Sequence, residues 1–226
     1  TDAITWTTRT STFGATIIRA LTYGNGLYVA AGDAAQLRTS TDGITWTTRT
    51  SGFGTSQINA LTYGNGLFVA AGVNGTLTTS TDGITWTTRT SGFGGTSAIQ
   101  CLTYGNGLFV AGGLSTLTTS TDGITWVTRS ALFTSGNSVN GLAYGNGVFV
   151  AAGDGKITTS IDGITWTTRT TPAISGFQCA AYGNGVYVAA GTSGLVCTST
   201  DGITWTQRNG GLGTTDFLAT VYGKGV

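Results

Sequence analysis

The chain has 226 residues, a formal net charge of +1 and only 8% charged residues, against about 25% in an ordinary soluble domain. It contains no histidine and no methionine, and its nine acidic residues are all aspartates. This composition excludes Ser-His-Asp and Cys-His triads, histidine zinc sites and glutamate-based two-carboxylate mechanisms, and leaves no basic excess for nucleic acid or acidic membrane.

The first predicted element is a short strand at the N-terminus, Ile4 to Thr8, inside Asp2-Ala3-Ile4-Thr5-Trp6. That string returns as Asp-Gly-Ile-Thr-Trp from Asp42, Asp82, Asp122, Asp162 and Asp201, at spacings of 40, 40, 40, 40 and 39. A second string, Tyr-Gly-Asn-Gly, begins at Tyr23, Tyr63, Tyr104, Tyr144 and Tyr182, with Tyr-Gly-Lys-Gly at Tyr222. Two interleaved markers at one period identify a repeat architecture. All six tryptophans lie in the first string.

The second repeat shows the pattern in chain order. Ile58 to Tyr63 is the first strand, and Gly64-Asn65-Gly66 is a hairpin signal. Leu67 to Ala71 is an apolar run, as in a strand covered on both faces. Val73-Asn74-Gly75 is a turn, Thr76 to Ser80 the third strand, Thr81-Asp82-Gly83 a turn, and Ile84 to Arg89 the fourth strand. No segment has a helical apolar period, and proline occurs once. The expected fold is all-β: a propeller of four-stranded blades, since one such sheet must bury both faces against neighbours. The whole of residues 1–226 is expected to form one domain. Blades are expected near 17–49, 57–89, 98–129, 138–169 and 176–208, with terminal strands 1–9 and 214–226 sharing a partial sixth. The ring could instead hold five positions with spare ends. One large aromatic per blade (Trp46, Trp86, Trp126, Trp166, Trp205) suits a wedge between blades.

No apolar stretch reaches the roughly 18 residues of a membrane helix, and no signal peptide is visible. The chain opens inside its own repeat, at Thr1-Asp2, which reads as a processed product or a piece of a longer protein. Cys101 and Cys179 stand in the slot of Ala60, and Cys197 in the slot of Thr78. They read as small buried residues, since three cysteines cannot form a complete intrachain disulfide set.

Ser-Thr-Asp-Gly-Ile-Thr-Trp, at Ser40 to Trp46, Ser80 to Trp86 and Ser120 to Trp126, resembles the Asp-box, or BNR, repeat. Here the glycine follows the aspartate directly, one residue tighter than the commonest form. The resemblance covers essentially the whole chain. Together with Tyr-Gly-Asn-Gly-Leu-Phe-Val-Ala-Ala-Gly it is most similar to the propellers of phage tail and bacterial surface proteins. The motif is specific for fold and says little about function. Asp42, Asp82, Asp122, Asp162 and Asp201 read as turn-forming acceptors, with glycine supplying the positive φ. One aspartate per blade does not make a calcium site, so no metal and no cofactor are expected.

Sialidases are the catalytic relatives this resemblance implies, and they use an arginine triad and a tyrosine nucleophile helped by a glutamate. This chain has no glutamate, and its arginines recur at one slot per blade, so it is read as no enzyme, with no catalytic residue. The asymmetric aspartates Asp33, Asp154 and Asp216 leave a glycoside hydrolase as the remote alternative. One disc face carries nearly invariant turns, and the other carries variable loops suited to presenting chemistry. The candidate ligand residues are on that variable face: Arg49, Arg89, Arg129, Arg169, Phe53, Phe93, Asp33, Asn74 and Asp154. An arginine beside an aromatic suits sugars or acidic groups. The plainer reading bonds the arginine to loop carbonyls and plugs the inter-blade seam with phenylalanine.

The expected role is a non-catalytic propeller on a virion or cell exterior, for attachment or assembly. The alternative is a multivalent lectin with one shallow site per blade. The expected partner is a glycan or a surface protein, with no nucleic acid and no membrane insertion. An oligomer, or a place in a larger assembly, is also expected, because near-identical blades can exchange strands.

Overall fold

A computed structural model describes residues 7–10, 12–130, 132–133, 136–172, 176–211 and 213–222. Five four-stranded antiparallel sheets follow one another, each a simple meander. The first is β1 (Ile18–Gly24), β2 (Leu27–Gly32), β3 (Leu37–Ser40) and β4 (Thr47–Arg49). The second is β5 (Ile58–Gly64), β6 (Leu67–Gly72), β7 (Thr76–Ser80) and β8 (Thr87–Thr90). The third is β9 (Ile99–Gly105), β10 (Leu108–Gly113), β11 (Thr116–Ser120) and β12 (Val127–Ser130). The fourth is β13 (Val139–Gly145), β14 (Val148–Gly153), β15 (Lys156–Ser160) and β16 (Thr167–Arg169). The fifth is β17 (Phe177–Gly183), β18 (Val186–Gly191), β19 (Leu195–Ser199) and β20 (Thr206–Asn209). Among the described residues no helix is long and apolar enough to cross a membrane.

The first hairpin of each blade turns on Asn-Gly with both residues at positive φ, 48° at Asn65 and 75° at Gly66. This is the type I′ geometry whose twist matches the flanking strands. The core is divided into seams between successive blades. At the seam of the second and third sheets, Val69, Ala71, Leu77 and Phe93 pack on Ile99, Phe109, Ala111 and Trp126, all buried. Each large side chain so covered contributes about 1.5–3 kcal/mol. Trp86, Trp126, Trp166 and Trp205 lie in these seams, and half-buried Trp46 is in none of them; within the third blade the Trp126 and Phe109 rings lie 6.4 Å apart.

Two expectations need correction. The fourth strand begins at Thr87, not Ile84. The Ile84 and Thr85 amides donate to Asp82 Oδ1, each at 2.8 Å, so they are withdrawn from the ladder. The strands expected in a sixth blade fall partly on residues 1–6 and 223–226, outside the described residues. In the described part, 7–10 and 214–222 form no strand. The second segment nevertheless follows the ring. The Phe217 amide donates to the Gly191 carbonyl at 3.0 Å, and Tyr222 stands against Gly183 as Tyr182 does against Gly145.

Candidate functional site

The aspartate turns are built alike in every described blade. In the second, Ser80 Oγ donates to Asp82 Oδ1 at 2.9 Å and accepts the Gly83 amide at 2.8 Å. The same carboxylate oxygen takes the Ile84 and Thr85 amides, and Trp86 Nε1 donates to the Gly83 carbonyl at 3.0 Å. The Thr85 and Ile84 amides, with the Ser80 hydroxyl, lower the Asp82 pKa to about 2. Asp42, Asp162 and Asp201 are lowered to about 2 in the same way, and Asp122 is lowered too. These carboxylates are committed to the turn.

The arginines of the fourth strands are similarly engaged. Nε of Arg49, Arg89, Arg129 and Arg169 donates to Oγ1 of Thr39, Thr79, Thr119 and Thr159, at 2.9, 2.9, 3.0 and 2.6 Å. Each brace ties the outermost strand to the third. Phe53 and Phe93 are buried in the seams, their amides held by Ser51 and Ser91, so they present no ring to solvent. Asn74 is exposed in a turn at φ 57°.

Asp33 and Asp154 occupy the same turn in the first and fourth blades, and both reach inward. Arg19 Nε lies 2.5 Å from Asp33 Oδ1. Asp154 Oδ2 accepts the Ser138 amide at 2.8 Å, and its Oδ1 accepts Asn140 Nδ2 at 3.3 Å. Asp216 accepts the Ser193 amide at 2.9 Å, beside the fifth blade. The three carboxylates therefore serve three separate places, and the arginine–phenylalanine pairs are not brought together with them.

The residues that converge are on the innermost strands, at a slot the sequence reading did not single out. Arg19, Asn59, Gln100, Asn140 and Gln178, with Leu218 in the sixth position, ring one end of the central cavity. The cavity continues between the inner strands with a volume of about 520 Å³, past Ala60, Cys101, Gly141 and Cys179. The polar ring opens on the variable-loop face, because the slot is the second residue of each inner strand. Asn59 Nδ2 donates to the Ile99 carbonyl at 2.9 Å, and Asn140 Nδ2 to the Phe177 carbonyl at 2.9 Å. Each thus clips its blade to the next. Gln57 Nε2 donates to Asn59 Oδ1 at 2.5 Å. The arrangement offers a circle of carboxamides and one guanidinium, with donors and acceptors interleaved. The signal in the sequence is a slot polar in all five complete repeats, flanked by apolar and small residues. Burial keeps Cys101, Cys179 and Cys197 as thiols, with pKa values pushed up in each.

The family model of the DUF6242 beta propeller domain matches residues 93–222, more than half of the chain. No curated protein matches the sequence. Among solved structures, the chain is similar to "YCF48 bound to D1 peptide", at 14% identity and a TM-score of 0.65, covering 86% of this chain and 67% of that one. It is also similar to the WD40 beta propeller domain of Doa1, at 13% identity and a TM-score of 0.66, covering 88% and 71%. These likenesses carry the fold.

Proposed function

The chain belongs to the DUF6242 beta propeller domain family, and we propose that it is a non-catalytic binding propeller that seats an extended polypeptide segment of its partner at the axial mouth. The observation that carries this reading is the ring of Arg19, Asn59, Gln100, Asn140 and Gln178 around a cavity of about 520 Å³. The Gln100 and Gln178 carboxamides supply paired donors and acceptors that match those of a peptide backbone, while Arg19, Asn59 and Asn140, engaged by Asp33 and by neighbouring carbonyls, hold the rim of the mouth. A pocket lined by apolar walls with a few convergent polar groups is the usual form of a ligand site. The propeller of similar fold described as bound to a D1 peptide supports a polypeptide as ligand.

The binding reading includes no reaction. Every described aspartate outside the mouth is held by its own turn or a backbone amide, and Asp33 and Asp154 are engaged by Arg19, Ser138 and Asn140. The Ser-x-Asp-Gly turns, read as Asp-boxes, act as scaffold. The low charge, the Thr- and Gly-rich surface and near-identical blades fit display on a virion or cell exterior, for attachment or assembly. A multivalent lectin remains the second reading, favoured by the recurrence of one arginine per blade at Arg49, Arg89, Arg129 and Arg169.

An array of extended peptides probed with the wild-type chain tests the first reading, beside Gln100→Ala and Gln178→Ala variants. Peptide binding that both variants weaken, with unchanged circular dichroism, is the expected result. Binding to a glycan array that survives chelation and is lost stepwise in Arg49→Ala, Arg89→Ala and Arg129→Ala replaces it with the lectin.

A further inference from the structure

The aspartate turns lie on the disc face opposite the axial mouth, and each sits against the blade before it. In three seams a leucine closes the contact. A β-carbon on Gly83, Gly123 or Gly163 would stand 2.5, 2.4 and 2.4 Å from Cδ2 of Leu27, Leu67 and Leu108. These leucines open the second strands of the first, second and third blades. In the fourth blade the slot holds Val148, and a β-carbon on Gly202 would stand 3.3 Å from Val148 Cγ1. The shorter side chain draws back from the turn.

Two further departures from the repeat fall at this seam. The residue before the turn aspartate is Thr41, Thr81, Thr121 and Thr200 in the other blades, and Ile161, 74% exposed, in the fourth. The fifth blade has Tyr187 where the second, third and fourth have Phe68, Phe109 and Phe149. The Tyr187 hydroxyl shares its hydrogen between the Gly145 and Val148 carbonyls, which fixes the hairpin beneath the gap.

The result is a groove of about 320 Å³ between the fourth and fifth blades, at the lower end of the range for small-ligand sites. Half-buried Val148 is its floor, and exposed Ile161 and Ile203 are its apolar walls. Threonines from β15 and β16 line the rest of the fourth blade's side. Arg169 closes the inner end. Its Nε donates to Thr159 Oγ1 at 2.6 Å, and its terminal nitrogens make no hydrogen bond among the described residues. Asp162 stands at the turn end, where its Oδ1 takes the Ile164 and Thr165 amides. Among the described residues no ion pair joins it to Arg169. One guanidinium, with no lysine or second arginine in the lining, matches one carboxylate rather than a dianion.

We propose that this groove binds a small carboxylate with a branched aliphatic body. The carboxylate takes the two terminal nitrogens of Arg169, a pairing the planar guanidinium makes through two parallel bonds. The body lies between Ile161 and Ile203, over the floor that leucine fills at the other seams. The Asp162 carboxylate opposes the reverse orientation by like-charge repulsion. The site is on the face opposite the axial ring and does not depend on peptide binding there.

The test is two-dimensional amide NMR of the labelled chain titrated with isocaproate, with isocaproamide as the neutral control. The expected result is saturable shifts at Ile161, Arg169 and Ile203, with a dissociation constant of about 1 mM. The amide binds weaker by about tenfold or more. Val148→Leu, which places the residue of the other seams on the floor, abolishes the shifts. Ile161→Thr, at an exposed position, weakens binding by about threefold or more, and Arg169→Gln leaves acid and amide binding alike, all with unchanged circular dichroism. Three results overturn the proposal. They are no saturable shift up to about 10 mM isocaproate, shifts that Val148→Leu and Ile161→Thr both leave intact, and equal binding of acid and amide to the wild-type chain.

Discussion

The ring of Tyr104 fills the space above the α-carbon of Gly64: a β-carbon on Gly64 would stand 2.1 Å from Tyr104 Cγ. The same step joins Tyr63 to Gly24, Tyr144 to Gly105 and Tyr182 to Gly145. The two halves of the Tyr-Gly-Asn-Gly string thus do different work. The tyrosine packs toward the preceding blade, and the first glycine receives the tyrosine of the next.

Gly64→Ala and Gly66→Ala separate packing from backbone geometry. At Gly64 the new methyl group meets an anchored ring, and a loss of about 2 kcal/mol or more is expected. At Gly66 nothing lies within 4 Å, but φ is +75°, so the loss is about 1 kcal/mol. Chemical denaturation of the two variants reads the difference, and equal losses would discard the packing argument.

The third strands carry an avoidable cost. Thr78, Thr118 and Thr158 have buried hydroxyls with no hydrogen-bond partner, and burying such a group costs about 1–3 kcal/mol. Cys197 occupies this slot in the fifth blade. Thr118→Val keeps the shape and removes the hydroxyl, so it raises stability by about 1 kcal/mol. A lower denaturation midpoint in this variant would show that the hydroxyl is satisfied.

Acid acts on the five turns together. The pKa values of Asp42, Asp82, Asp162 and Asp201 fall from 3.8 to about 2 on folding. A depressed folded pKa stabilises the fold above the unfolded value and loses that contribution as pH falls through the folded one. The melting temperature therefore drops between pH values of about 4 and about 2. Asp82→Asn, melted in parallel, shows a shallower drop across that window, and a parallel curve would remove this turn from the account.

The thiols are packed between the strands. Cys101, Cys179 and Cys197 are buried, and burial raises each pKa. A colorimetric thiol reagent at mildly alkaline pH finds no fast-reacting group in the native chain and three after denaturation. Rapid native labelling of any one would contradict the packing around it.

Much of the fold was legible because the Asn-Gly turns and the apolar second strands are local signals. Asn65 and Gly66 take the positive φ that their identity permits, and Phe68 to Ala71 is buried, with Leu67 half-buried, as a continuous apolar run requires. The start of the fourth strand was misplaced because Ile84 and Trp86 alternate like strand residues. The Asp82 carboxylate takes the amides such a strand would need. Arg49 and Arg89 read as rim ligands because they recur at one slot, but threonine hydroxyls engage them there. The axial ring is hidden in the sequence for the opposite reason. Arg19, Asn59, Gln100, Asn140 and Gln178 differ in identity and share only polarity, and a one-dimensional repeat does not reveal that equivalent slots face a common axis.

The tyrosine-to-glycine step also has a direction. Each blade offers a ring backward and a bare α-carbon forward, so the seam is a heterologous joint repeated within one polypeptide. A joint of this kind fixes the rotation between neighbours and leaves the number of members to geometric closure. Tandem duplication of one 40-residue unit would therefore create a blade that both neighbours accept chemically. Such a protein would meet its penalty in the curvature of the ring, not in any single contact.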